Sequence, residues 1–520
     1  MGFANHVAPG EEFGSRRSTG LIPENRTSML SHQILIYAPG LLIPGLVNFV
    51  AMASYTRLLS AEAYGRYAFA LAVAVMIKMV MFDWLRLGLF RFFQGAQRDA
   101  RLPALLSTTM AGFVIVSLLV TCGWVGALSF TPIADKELVP VLWLGLPLLL
   151  IYALFEQMLQ INRAAIAPVR YGLLSVTRAV LCLGAALCFI IVLGQNESGL
   201  MLGLILGTLV PTLTDLARWG VQMTPRLVDR LLATDLLRYS VPLAVVCSLD
   251  FIPSVSNRFL LQHFLGSEAV GLFAAGYDLG NQTVMMLFVS LNMAAYPLVV
   301  RFLEHAGKDA ARVQLRKYSI ALFALALPGS VLMAFMAQPV ATLVLGEAFR
   351  EVGGRLIPWV AMSTFVMGAK AFYFDLAFQL GLRTKLQIWT VAVEAALSVV
   401  LGLWWIPVYG VMGAVWATCV AYTLASVVSL GLGRKVFPLP FPAWDLVRIG
   451  LATLLMAMVL ALAHRVSDGW IAFGAMVGLS GIVYGVAIWL MDVDHIRQRG
   501  LVMMLYGIRN TLKVNSHRIK

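Results

Sequence analysis

From Gln33 to Met491 the chain alternates apolar runs of about 20 residues with short polar stretches. A run of that length is what a helix needs to cross a hydrocarbon layer roughly 30 Å thick. Fourteen runs, centred near residues 45, 78, 117, 148, 181, 208, 247, 287, 328, 367, 394, 419, 455 and 481, predict an all-α polytopic membrane protein with fourteen transmembrane helices. Ahead of them, residues 1–31 are polar and rich in Gly, Pro, Ser and Arg, with neither a short apolar core nor a small-residue cleavage site. This predicts a disordered tail without a cleaved signal peptide, so the first span also acts as the targeting signal. Residues 492–520 form a basic tail.

Composition agrees with the pattern. Of 520 residues, 60% are hydrophobic and only 12% charged, against about 25% charged in soluble domains, and mean hydropathy is +0.83. A soluble fold is excluded. The net charge of +13 would suit a nucleic-acid binder, but its placement says otherwise. With the N-terminus in the cytoplasm, 28 of the 39 Lys and Arg fall in the tails and loops of the cytoplasmic side and seven on the other side. The last four, Lys78, Arg86, Arg178 and Lys370, lie within spans. This is the positive-inside pattern, and it orients both termini to the cytoplasm. No basic–aromatic face stands outside the membrane, which argues against nucleic acid. The five cysteines all lie in spans without a CxxC and the seven histidines are scattered, so no disulfide framework, metal site or cofactor is expected.

An internal repeat organises the spans. SAEAYGRYAFA (60–70) aligns with GSEAVGLFAAG (266–276) at an offset of 206, with Glu62/Glu268, Ala63/Ala269, Gly65/Gly271 and Ala68/Ala274 identical. Each segment follows the first span of a six-span half. Six is even, so both halves share one orientation, and the implied axis runs along the membrane normal. The predicted units are two six-helix bundles, 32–222 and 223–435, around a central cleft, with two extra helices in 436–491.

An ionisable group at the bilayer centre costs at least about 2.5–3.5 kcal/mol and usually faces a cavity or a partner. Lys78, Asp83 and Arg86 share one arc of span 2, and Asp83 and Arg86 are spaced i,i+3. They are either an anion site with a surplus positive charge or a neutralised structural cluster. Span 7 carries a stripe of Asp250, Ser254 and Asn257 ending at Arg258, and span 8 one of Asp278, Asn281, Gln282 and Asn292. The two stripes read as a wet wall or as interhelical glue. Arg178, Asp215, Lys370, Asp375 and Glu394 are further candidates; Glu156 and Asp215 are also placed at helix ends, and Lys370 as a partner of Asp375. External loops are short, the longest about twenty residues around Gly346 to Arg355, whereas polytopic polysaccharide polymerases and ligases usually expose a large catalytic loop.

TRLLSAEAYGRYAFALAVAVM (56–76), NRFLLQHFLGSEAVGLFAAGYDLGN (257–281), LGEAFREVGGRLIPW (345–359) and WWIPVYGVMGAVWATCVAY (404–422) resemble segments of the bacterial polysaccharide transporters. These are the O-antigen flippase family of the multidrug/oligosaccharidyl-lipid/polysaccharide exporter superfamily. The resemblance spans roughly residues 30–435. It implies a non-enzymatic flippase that moves an undecaprenyl-pyrophosphate-linked oligosaccharide across the inner membrane by alternating access. It further implies H+ or Na+ as the coupling ion, membrane lipids around it, and the polysaccharide polymerase and export machinery as partners. On that reading Lys78, Arg86 and Arg258 take the phosphates, with Arg178 and Lys370 behind them. Asp83, Asp250, Asp278, Asp375 and Glu394 serve ion coupling. The family has an acidic residue just before the Arg of span 7; here it is Asn257, which leaves Asp250 as the substitute. A drug exporter of the same superfamily is the alternative, and the positive charge of the cleft favours an anionic substrate.

Overall fold

The computed structural model describes residues 25–130, 135–383, 385–463 and 470–493; residues 1–24 and 494–520, most of the two expected tails, lie outside these. The described residues form fifteen α-helices and no strand. They are α1 (Asn25–Leu58), α2 (Ala61–Arg98), α3 (Leu102–Phe130), α4 (Leu138–Ala164), α5 (Pro168–Ile191), α6 (Glu197–Gly220), α7 (Arg230–Leu265) and α8 (Ser267–Phe335). After these come α9 (Ala337–Val344), α10 (Glu347–Ala369), α11 (Leu376–Leu380), α12 (Lys385–Tyr409), α13 (Val411–Val436), α14 (Ala443–Ala463) and α15 (Trp470–Leu490). Each of the fourteen predicted centres falls on a helix. Among the described residues, eleven helices are long and apolar enough to cross a membrane.

One of the eleven, α8, has 69 residues and would be about 104 Å long if straight. Its backbone leaves helical geometry at Gly307 (φ 83°, ψ −179°), giving arms 267–306 and 308–335 that hold two predicted spans. The expected twenty-residue loop around Gly346 to Arg355 is largely helical: α9 and α10 are separated by two residues. Helix starts follow from capping. The Ser60 hydroxyl accepts from Ala63 N at 3.2 Å to open α2, and Asp229 accepts from Leu231 N and Leu232 N to open α7.

Helices α1, α2, α4, α5 and α6 pack on one another, as do α7, α8, α10, α12 and α13. In the first group Gly203 and Gly207 of α6 lie against the Ala186 and Cys182 backbone of α5; small residues four apart allow such close approach in a membrane. The seam between the groups is α2, which crosses both α7 and α8. At its start α2 touches the start of α8 through Gly65 and Gly271. A Cβ on Gly65 would stand 1.7 Å from Ser267 O, and one on Gly271 2.0 Å from Ala61 O. Both pairs, Gly65/Gly271 and Ala61/Ser267, obey the 206-residue offset, so the contact is reciprocal. Helices α14 and α15 pack on each other and α14 on α8; Tyr484 OH donates to Ala324 O at 2.6 Å.

The α2–α8 contact belongs to a tightly closed end of the molecule. There Arg66 reaches Glu62 (2.7 Å), Glu137 (2.6 Å), Glu197 (2.8 Å) and Asp135 (3.3 Å). The Ser267 hydroxyl donates to Asp135 at 3.0 Å, and Gly346 N to Thr56 Oγ1 at 3.1 Å. At the opposite end the segment joining α6 to α7 is pinned to α3 by bonds from Thr224 N to Ser107 and from Asp229 N to Thr108.

Candidate functional site

The charges of α2 assemble with α4 and α5. Lys78 Nζ lies 2.6 Å from Glu156 Oε2 and 3.1 Å from Asp83 Oδ1. Arg86 lies 3.1 Å from Asp83 Oδ2 and 3.8 Å from Glu156. Arg178 stacks on Tyr152 (4.6 Å) and Phe155 (5.3 Å) and donates to Thr208 at 3.2 Å. The expected i,i+3 pair is present. Lys78 is buried and doubly paired, while the Arg86 side chain is 33% exposed and is the reachable cation of the pair. With all groups ionised, three cations face two carboxylates, a surplus of one positive charge.

A second cluster sits across α7. Lys370 Nζ lies 3.1 Å from Asp375 Oδ2 and 2.9 Å from Glu394 Oε2. The Ser429 hydroxyl of α13 donates to the other Asp375 oxygen. Lys370 opens a single π-helical turn, Lys370–Phe374, between α10 and α11; such widened turns recur at functional sites. Asp250, on α7, is accessible and lies within electrostatic reach of Lys370 and Asp375 and of Glu394. One turn back, Cys247 lies within reach of Asp83, Arg86 and Asp250. Helix α7 therefore runs between a cationic wall and an anionic one.

The expected polar stripes divide on inspection. Asn257 is buried and donates to Thr418 Oγ1 at 2.6 Å, tying α7 to α13, and Ser254 bonds Phe251 O of its own helix. Arg258 pairs with Asp278 at 2.6 Å. Asp278, Asn281 and Gln282 line a cavity of about 610 Å³ with Tyr55, Tyr64 and Tyr67, directly beneath the Gly65–Gly271 contact. Asn292 instead accepts from Tyr318 OH at 3.0 Å. Asp215 is fully buried, held by Asn162 and Arg170, and locks α4 to α6. A wholly different space, about 1090 Å³ and apolar, opens between α2, α3 and α7, with Trp84, Trp124, Phe251 and Phe259 on its walls.

Two participants were not singled out by sequence. Glu156, read as a helix-end residue, is the joint partner of Lys78 and Arg86, and Ser429 supports Asp375. Their only sequence signal is a polar residue in an apolar helix; which charge each meets is decided by contacts 54 to 78 residues apart.

A family profile described as polysaccharide biosynthesis protein matches residues 32–303. Among curated protein sequences there is no match. Among solved structures, the chain is similar to the lipid II flippase MurJ in an inward closed conformation, at TM-score 0.74 and 12% identity, over 89% of this chain and 100% of that one. An inward-facing multidrug resistance MATE transporter of the MOP superfamily matches at TM-score 0.57 and 16% identity, over 78% and 97%. A MOP superfamily transporter from Pyrococcus furiosus matches at TM-score 0.53 and 16% identity, over 78% and 94%. At these identities the likeness establishes the fold, and the proteins that carry it are flippases and transporters rather than enzymes.

Proposed function

Since the chain belongs to the polysaccharide biosynthesis protein family, we propose that it is a flippase for a lipid-linked oligosaccharide. Its substrate carries a pyrophosphate head and crosses the bacterial inner membrane by alternating access, coupled to an ion gradient, for O-antigen or exopolysaccharide assembly. The units are the bundles 32–222 and 223–435, with both termini in the cytoplasm and the polymerase and export machinery downstream. The observation that carries this reading is the surplus positive charge at Lys78, Arg86 and Arg178, set against only Asp83 and Glu156. A diphosphate head needs cations in a hydrated setting, and guanidinium groups match phosphate oxygens in geometry as well as charge. Arg258 stands behind Asp278 at the polar cavity, where an entering phosphate competes with the carboxylate. The apolar space beside Trp84 and the surrounding lipid suit a polyprenyl tail.

A charge-assisted hydrogen bond contributes about 1.5–3 kcal/mol, roughly ten- to hundredfold in apparent affinity. Arg86→Ala and Arg258→Ala are therefore each expected to lower polysaccharide export at least tenfold and to accumulate lipid-linked intermediates, while the protein still inserts in the membrane at normal levels. Unchanged export in both variants would sink the assignment.

A further inference from the structure

The anionic wall holds three carboxylates, Asp250, Asp375 and Glu394, around one ammonium, Lys370. Two of the carboxylates and the ammonium are almost sealed: side-chain exposure is 2% for Lys370, 2% for Asp375 and 1% for Glu394. The groups that face them come from every neighbouring helix. They are Asp250 from α7, Tyr277 from α8, Lys370 and Asp375 from the π turn and its edge, Glu394 from α12, and Tyr422 and Ser429 from α13. Among them Lys370 is the one cation, and the nearest arginine on α7, Arg258, is taken by Asp278. Full ionisation would leave two unbalanced negative charges in a low-dielectric setting, which burial does not tolerate without a partner.

We infer that Lys370 is a tethered cation standing where a free metal ion would otherwise sit among these carboxylates, and that the balancing ligand exchanged with water is the proton. The inference deepens the transport reading and, as regards coupling, rests on it. A metal cation needs a cage of oxygens free to converge on it. Here the Asp375 and Glu394 oxygens already converge on Nζ at about 3 Å, and a second cation beside an ammonium is repelled. A proton adds no volume: it is taken from water onto a carboxylate oxygen and returned to water from the same oxygen. Asp250 is the one carboxylate of the three that is exposed, so it is the exchange point. Protonated, it leaves Lys370 to Asp375 and Glu394; ionised, it draws the ammonium toward α7. Lys370 opens the π-helical turn between α10 and α11 and Asp375 closes it, while Asp250 stands on α7 and Glu394 on α12, so the proton is linked to the position of α7 against α10 and α12.

The test uses purified full-length protein and thermal unfolding in sodium chloride against choline chloride at matched ionic strength. The wild type is expected to unfold at the same temperature in both salts. Lys370→Ala vacates the cation position and is expected to gain a sodium-dependent rise of about 2 °C or more. Sodium stabilising the wild type as strongly as the variant would overturn the inference. If Lys370→Ala does not fold, the double variant Asp250→Asn/Glu394→Gln keeps a balanced Lys370–Asp375 pair and carries the test. It is expected to fold and to lose most of the wild type's change in Tm between pH 5 and pH 8; full retention of that change would equally overturn it. Neither readout needs substrate, so failed export with both results as expected counts against the flippase reading alone.

Discussion

Asp135 shows how one carboxylate ties the closed end together. Burial opposes its charge, but the hydroxyl of Ser267 and the guanidinium of Arg66 outweigh that and hold it below the usual carboxylate value of about 4. An unfolded chain then takes up the proton first as the solution is acidified. The contribution of Asp135 to stability is therefore complete above about pH 4 and is lost as pH falls through the lowered folded value. Asp135→Asn is expected to be less stable than the wild type at pH 7 and to have a shallower decline in Tm between pH 5 and pH 3; coincident acid limbs would refute the role given to it. Residues of this kind set the boundary of what sequence discloses. Lys78, Asp83 and Arg86 were legible because helical periodicity puts them on one arc. Glu156, which closes that cluster, lies 78 residues from Lys78, and no local spacing encodes such a contact. The same holds for Asn257. Its polar side chain in an apolar span marked it for a wet stripe, yet it serves as a bond to Thr418.

At the scale of elements, apolar run length located every described helix that the pattern called for, since hydrocarbon thickness fixes that length. It separated the two arms of α8 as two spans but did not foresee that they continue as one helix interrupted at Gly307 alone, nor the π turn inside the tenth span, nor the helical character of the stretch around Gly346 to Arg355, all of which depend on backbone detail rather than hydropathy. The meeting of α2 and α8 was half legible: the repeat motif contained both glycines, but only packing reveals that they touch. Gly65→Leu drives a side chain into the Ser267 carbonyl, and overpacking of this sort costs about 1–3 kcal/mol or more. The helices are expected to part at that end and uncover the polar cavity below. With the five native cysteines replaced and a cysteine introduced at Gln282 on the cavity wall, an impermeant maleimide added from the Arg66 end should label at least severalfold faster in the Gly65→Leu background. Equal labelling rates would mean that the glycine pair does not hold this end shut.

For the whole molecule, the loops after α1, α3, α5 and α7 converge on Arg66 and Ser267, so they share one face. On the proposed topology, with both termini in the cytoplasm, that face lies outside the cytoplasm. Alkaline phosphatase fused after Asn196 is expected to be active and the same reporter fused after Gln222 inactive; the reverse pair of results would invert the orientation. The reciprocity of Gly65 and Gly271 reaches further than closure. Two surfaces that present the same residues to each other across a two-fold form an isologous contact, the kind by which identical subunits pair. A lone six-helix unit bearing this motif has the surface to dimerise with its own copy, in the same membrane orientation. Such a homodimer must repeat every charge on both walls. In this chain the positions 206 residues beyond Lys78, Asp83 and Arg86 are Val284, Val289 and Asn292. One continuous chain can carry a cationic wall on one side and an anionic wall on the other, an asymmetry that a pair of identical subunits has no means to hold.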